Sequence, residues 1–257
     1  MDDHVDDQLD DLPAEVDASL DLARWPAAVA ALAAPGSPPI DAVFDMDGTL
    51  LGADLGDELV GWLLARGHLP PAFRARAPDL AAYQAATHGW DTVEQFILCS
   101  LVIEGLTEGE LALQVRACLA DRVPLRRPVV ALARALARVG HRVWILTGSA
   151  EPIARVVAAV LGLDPARTVG LRLDRDPDTG RFRDRVLPPV TFGRGKVDAA
   201  LARIGPDIGF SIGDSYTDLP LLERAHVAVA VPSLDGRLGP LAAASGIAVR
   251  LPEHLAG

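Results

Sequence analysis

The sequence predicts an α/β protein built on an open parallel sheet, with a largely helical segment inserted early in the chain. Three observations lead there. Short apolar runs suited to buried strands alternate with helical patterns, which implies βαβ units and a sheet covered on both faces. Three of those runs end abruptly in polar clusters, at Asp45/Asp47, at Thr147 and at Asp214/Asp218. Between the first and second of them, residues from about 55 to 122 read as mostly helical.

Taken in order, Val16 to Ala34 is rich in Ala and Leu at helical spacing and ends at Pro35-Gly36, so one helix is expected, followed by a Gly/Ser/Pro linker to Pro39. Ile40 to Phe44 is the first strand. The helical stretch from 55 to 122 is broken at Pro70-Pro71, Gly89 and Gly105, and it closes at the corner Arg126-Arg127-Pro128. Val129 to Arg138 is a helix stopped by Gly140, and His141 to Leu146 is a strand. Thr147-Gly148-Ser149 then opens a helix that runs to Gly162. Val169 to Leu173 and Phe182 to Leu187 flank Asp178-Thr179-Gly180 and form a hairpin. A helix from Lys196 to Ile204 leads to the strand Ile208–Ile212, and Val227 to Val231 and Ile247 to Leu251 are two last strands.

The 257 residues can bury a full core. The net charge of −11 is unevenly placed: residues 1–21 hold nine acids and no Lys or Arg, and without them the remainder carries only −2. The acidity therefore belongs to an N-terminal arm of the solvated kind. No basic footprint for nucleic acid is present. There is no apolar leader, and no apolar run reaches the roughly 18–20 residues of a membrane helix, so a soluble cytoplasmic protein is expected. Cys99 and Cys118 suggest no disulfide framework and read as small buried hydrophobes in helices. The chain contains no Asn, and Lys196 is its single Lys among 24 basic residues. In so Arg-biased a sequence, that Lys stands out.

In an open parallel sheet the ligand crevice lies outside the carboxyl ends of the strands, so the three polar clusters should meet there. Asp45 and Asp47, two apart in extended chain, should point the same way, and two such carboxylates call for a cation. Asp214 and Asp218 would add oxygen ligands, a donor set that suits Mg²⁺. A carboxylate can attack phosphorus, and a second can protonate the leaving oxygen and then activate water. Thr147 offers a hydroxyl, Gly148 and Ser149 offer amides at a helix start, and Lys196 offers a charge to phosphoryl oxygens.

Asp45-Met46-Asp47-Gly48-Thr49-Leu50, Thr147-Gly148-Ser149, Gly195-Lys196 and Gly213-Asp214-Ser215-Tyr216-Thr217-Asp218 resemble, in order and spacing, the four motifs of the haloacid dehalogenase superfamily. The resemblance implies a Rossmann-like open parallel sheet core (38–54 and 126–257) with an inserted α-helical cap domain (55–125), preceded by the acidic arm and helix (1–37). It makes Asp45 the nucleophile and a Mg²⁺ ligand. Asp47 becomes the general acid/base, and it also offers its backbone carbonyl to the metal. Thr147, Gly148 and Lys196 would bind the phosphoryl group; Asp214 is a metal ligand, with Asp218 in or just behind the metal's ligands. An acid at position 47 argues against dehalogenation. The helical cap and the segment Gly213 to Leu222 resemble the branch containing phosphoserine phosphatase. Two positions depart from it: Asp54 stands where a Glu commonly meets the substrate amine, and Thr217 where Asn often precedes the last Asp.

The expected activity is Mg²⁺-dependent hydrolysis of a small phosphorylated metabolite through an aspartyl-phosphate, by a monomer or homodimer that engages neither membrane nor nucleic acid. A phosphotransferase or phosphomutase, or a non-catalytic binding module of the same fold, are the alternatives. Asp54, Tyr216 and Thr217 are the candidate specificity residues. Trp62, Tyr83, Trp90 and Phe96 are assigned to the core ahead of a pocket, and His68 and His88 to the surface. His141 is assigned a structural role, and Arg126 and Arg127 a solvated corner.

Overall fold

A computed structural model describes residues 16–87, 93–232 and 236–249. The acids before position 16, His88, Gly89, Trp90 and Leu251 lie outside these. Among the described residues, seven strands form one sheet: β1 (Asp41–Phe44), β2 (Arg142–Ala150), β3 (Thr168–Arg175), β4 (Phe182–Leu187), β5 (Phe210–Gly213), β6 (Val227–Ala230) and β7 (Ala248–Val249). Their order is β4-β3-β2-β1-β5-β6-β7, and every neighbouring pair is parallel except β3 and β4, the expected hairpin. Helices cover both faces, as continuous apolar strands require. β1 is buried throughout, and Phe44 packs on Phe210 of β5 with ring centroids 5.4 Å apart. Because β1 leads to β2 on one side and is flanked by β5 on the other, the strand order reverses at β1, and its carboxyl end opens the crevice.

The chain leaves the sheet after β1 and returns before β2 through paired backbone. Gly52 N donates to Pro124 O at 2.7 Å, Arg126 N donates to Leu50 O at 2.9 Å, and Leu51 bridges Leu125. Between these points lie helices including Leu55–Ala65, Leu80–Thr87, Val93–Ser100 and Glu108–Arg122. The last is started by a Thr107/Glu110 capping box. A second tie holds this segment to the hairpin: Gly105 N donates to Phe182 O and Phe182 N to Leu106 O, both at 2.9 Å, flanked by the ion pairs Arg175–Glu108 and Arg181–Glu110.

Several expectations need correction. The single helix over Val16–Ala34 is broken into a 3₁₀ turn at Leu22–Arg24 and a helix at Ala27–Leu32. Trp25 precedes Pro26 and is extended at φ −101°, ψ 155°, the region that a following proline imposes. This stretch is also docked rather than solvated. Val16, Trp25 and Val29 are buried, and Asp17 accepts from Arg134 Nε at 2.8 Å and pairs with Arg138. Those cations hold its carboxyl below the usual range despite partial burial.

Thr147-Gly148-Ser149 does not open a helix. β2 continues through it to Ala150, and the helix Glu151–Val160 begins afterwards with Pro152 in its first turn. The strand persists because Ala150 pairs with Leu171 of β3 after an irregularity beyond Leu146. Gly170 permits that approach, since a Cβ there would lie 2.7 Å from Ser149 O. Arg126 is half-buried, its Nε without an acceptor among the described residues, within the field of Asp214; Arg127 is exposed as expected.

Candidate active site

The three polar clusters converge at the carboxyl ends of β1, β2 and β5. Asp45 follows β1, its amide donating to Ile212 O of β5 at 3.0 Å. Lys196, in the first turn of the helix Arg194–Arg203, donates from Nζ to Asp45 Oδ1 at 2.7 Å and pairs with Asp218. All three are buried, as is Asp214. Asp218 is fixed by a reciprocal cap, with Ser215 N donating to its Oδ2 at 3.0 Å. Asp214 is approached by the Thr49 hydroxyl at 3.3 Å and by the backbone of Gly48, where a Cβ would lie 2.1 Å from Oδ2. Gly48 has φ +75°, so the turn after Asp45 both needs glycine and makes that close approach possible.

Oxygens of Asp45, Asp214 and Asp218 all lie within 4.8 Å of one another. Burial, then the charges of Asp45 and Asp218, holds the Asp214 carboxyl well above the usual carboxylate range. Burial also pushes Asp218 up to about 6 against the pull of Lys196. Burial alone would weaken the Lys196 ammonium, but Asp218 and Asp45 outweigh it and keep it charged. Lys196 offsets only part of the charge of three enclosed carboxylates, and hard oxygen donors suit a divalent ion such as Mg²⁺.

Asp47 does not share that cluster, although the two-residue spacing aligns it with Asp45. The chain turns at Met46–Gly48, with Thr49 N donating to Met46 O, and the extended alternation ends there. Asp47 instead faces β2: Oδ2 accepts from Ser149 Oγ at 2.7 Å and from Thr147 Oγ1 at 3.2 Å, while Oδ1 accepts from Leu55 N at 2.9 Å. Its carboxyl is raised by enclosure, which those donors only partly offset. Asp54 caps the helix Leu55–Ala65 by accepting from Asp57 N at 2.8 Å, and enclosure together with the Asp47 charge lifts it well above the ordinary range.

These groups line one cavity of about 280 Å³, together with Gly148, Tyr216 and Thr217. Every candidate site residue singled out in the sequence reaches this pocket except Ser149, whose amide donates to Thr147 Oγ1 at 3.0 Å. Sequence reasoning missed four others: Thr191, Phe192 and Arg237 in the wall, and the Ser149 hydroxyl on Asp47. An aromatic four residues before the lone Lys was a usable signal for Phe192; a single Arg in an Arg-rich chain offered none. Arg237 lies over the Tyr216 ring, 4.1 Å from its centroid. Among the aromatics assigned to the core, Tyr83 and Trp62 are buried there, whereas Phe96 lines the pocket. His68 is half-buried against Val102 O at 2.9 Å, not on the open surface. His141 is buried between Leu32 O and Ile40 N, in the structural role expected. Cys99 and Cys118 are buried free thiols.

Residues 42–223 match the family of haloacid dehalogenase-like hydrolases. Two curated relatives are a phosphoserine phosphatase of Albidiferax ferrireducens, 26% identical over 73% of this chain and 76% of that one, and the phosphoserine phosphatase SerB1 of Mycobacterium tuberculosis, 28% identical over 96% and 84%. Among solved structures, a Bordetella pertussis protein of unknown function shares the fold at a TM-score of 0.63 and 22% identity, covering 82% of this chain and 98% of that one. Among the described residues, no helix is long and apolar enough to cross a membrane.

Proposed function

The chain belongs to the haloacid dehalogenase-like hydrolases, and on that premise we propose that it is a Mg²⁺-dependent phosphatase that hydrolyses a small phosphomonoester through an aspartyl-phosphate on Asp45. The observation that carries this reading is the division of labour between two carboxylates two positions apart. Asp45 sits in the charged cluster with Lys196, Asp214 and Asp218, and Asp47 sits apart, hydrogen-bonded to Thr147 and Ser149.

In this reading Asp45 attacks phosphorus and the ester P–O bond breaks. Asp47, whose carboxyl is raised toward the protonated form, gives its proton to the leaving alkoxide. Asp47 then takes a proton from the water that attacks the acyl phosphate, releasing phosphate and restoring Asp45. Lys196 and the Thr147 hydroxyl hold the phosphoryl oxygens, with the Gly148 amide beside them. Asp45, Asp214, Asp218 and the Asp47 carbonyl would hold Mg²⁺, which supplies charge to the phosphoryl group. Residues 55–125 act as a cap that excludes bulk water, and residues 38–54 and 126–257 as the core. The names of the two curated relatives favour a phosphoserine-like ester.

Phosphate release from a panel of phosphorylated metabolites, with and without Mg²⁺ and with Asp45→Asn as the blank, tests the proposal. Turnover that survives in Asp45→Asn would reject it. Phosphate transferred to an added alcohol at the expense of free phosphate would favour a phosphotransferase.

A further inference from the structure

Thr191 is 1% exposed, and its Oγ1 has no hydrogen-bond partner among the described residues. Leaving a buried hydroxyl unmade is costly, and a valine of the same shape would avoid that cost. The hydroxyl is therefore a poor choice for packing and a good one for a ligand.

Its position says which part of a ligand it would meet. Thr191 lines the active-site cavity and also a second cavity against Val169 and Gly170 of β3, which places it on the β2–β3 side of Asp45. The carboxylates Asp214 and Asp218 follow β5, on the other side of β1. The backbone oxygen of Thr191 lies 3.6 Å from where a Cβ on Gly148 would stand, so the residue adjoins the Thr147-Gly148 corner. The wall beside it is apolar. Phe96, from the helical insertion, lies edge-on to Phe192 with centroids 5.0 Å apart, and its ring comes within 2.7 Å of a Cβ built on Gly148. The phosphoryl group already has Lys196, Thr147 and the Gly148 amide.

We propose that Thr191 is a specificity-determining residue. Its hydroxyl hydrogen-bonds a polar substituent (hydroxyl, amine or carboxylate) on the substrate's alcohol, whose carbon skeleton lies against Phe96 and Phe192. The substrate class is thus a small alkyl phosphomonoester with a hydrogen-bonding group a few bonds from the ester oxygen, not a bare alkyl phosphate. This rests on the phosphatase reading.

The test compares kcat/KM for O-phosphoserine and glycerol phosphates with that for ethyl phosphate, in wild type, Thr191→Val and Thr191→Ser. Thr191→Val is expected to reduce the preference for the polar esters over ethyl phosphate about tenfold, mainly through KM, as the loss of one hydrogen bond implies. Thr191→Ser should keep the preference within about threefold. An unchanged preference in Thr191→Val, or an equal loss on every ester, overturns the inference. Failure of the phosphatase reading looks different: wild type and Asp45→Asn release phosphate alike. In that event, calorimetric titration of the same esters into Asp45→Asn, with and without Thr191→Val, decides the matter. Affinity for the polar esters that falls in the double variant supports the role of Thr191, and equal affinities overturn it.

Discussion

Lys196 Nζ stands 2.7 Å from Asp45 Oδ1 and also pairs with Asp218, so one buried ammonium joins carboxylates that follow two different strands. Removing one partner of a buried ion pair exposes the others to an uncompensated field, at a cost of about 3–5 kcal/mol. Lys196→Met is therefore expected to lower the melting temperature by roughly 6–20 °C at the scale of a chain this size. Added Mg²⁺ should return part of that loss by neutralising the same carboxylates. Differential scanning calorimetry with EDTA and with Mg²⁺ checks both; a melting temperature equal to wild type in EDTA would contradict the pairing.

Asp45→Asn should abolish turnover while leaving the fold intact. Asp47→Asn should lower kcat by about 10²–10⁴, the usual contribution of a general acid/base, with Mg²⁺ affinity largely kept. The two are told apart by metal titration: a large loss of Mg²⁺ binding in Asp47→Asn would contradict the role assigned to its side chain.

Gly48→Ala places a Cβ 2.1 Å from Asp214 Oδ2 at a residue with φ +75°. Both the strain and the clash fall on a proposed metal ligand, so Mg²⁺ affinity should drop at least about tenfold, equivalent to 1.4 kcal/mol. Calorimetric Mg²⁺ titration measures it, and wild-type affinity would show that Asp214 is not needed for the ion.

The pH dependence follows from raised carboxyls. Asp214 lies well above the ordinary range and Asp218 rises to about 6, both chiefly through burial. A raised acid binds its proton more readily when folded, so its contribution to stability is full below the unfolded value of about 3.9 and is lost as pH rises through the folded value. Mg²⁺ needs the ionised forms, so it acts in the opposite sense. The increase in melting temperature produced by Mg²⁺ should therefore grow from pH 5 to pH 7.5. A flat difference across that window would reject the coupling.

Much of this was legible in the chain. Alternating apolar runs and helical patterns gave the parallel sheet, because burial on both faces leaves a strand no polar positions to show. The four motifs gave the pocket, because three of them come at or near the carboxyl ends of parallel strands and the fourth opens a helix, so the sheet topology carries them to one crevice. The fate of Thr147-Gly148-Ser149 was not legible: a Thr-Gly-Ser sequence suits a helix cap, and only the pairing of Ala150 with Leu171 draws it into the strand.

The sequence by itself determined the sheet, the helical insertion and the identity of the acids and the lone Lys at the site, since these depend on local periodicity and residue chemistry. Only the tertiary structure decided which carboxylate meets which partner. Asp45 and Asp47 are two residues apart, yet one faces Lys196 and the other Ser149, because the chain turns over Met46–Thr49 and their partners come from 102 to 151 positions away. The same holds for Phe96, Thr191 and Phe192, whose meeting in one wall depends on how the insertion packs onto the sheet. Distances of that kind are set by long-range packing, which no local pattern encodes.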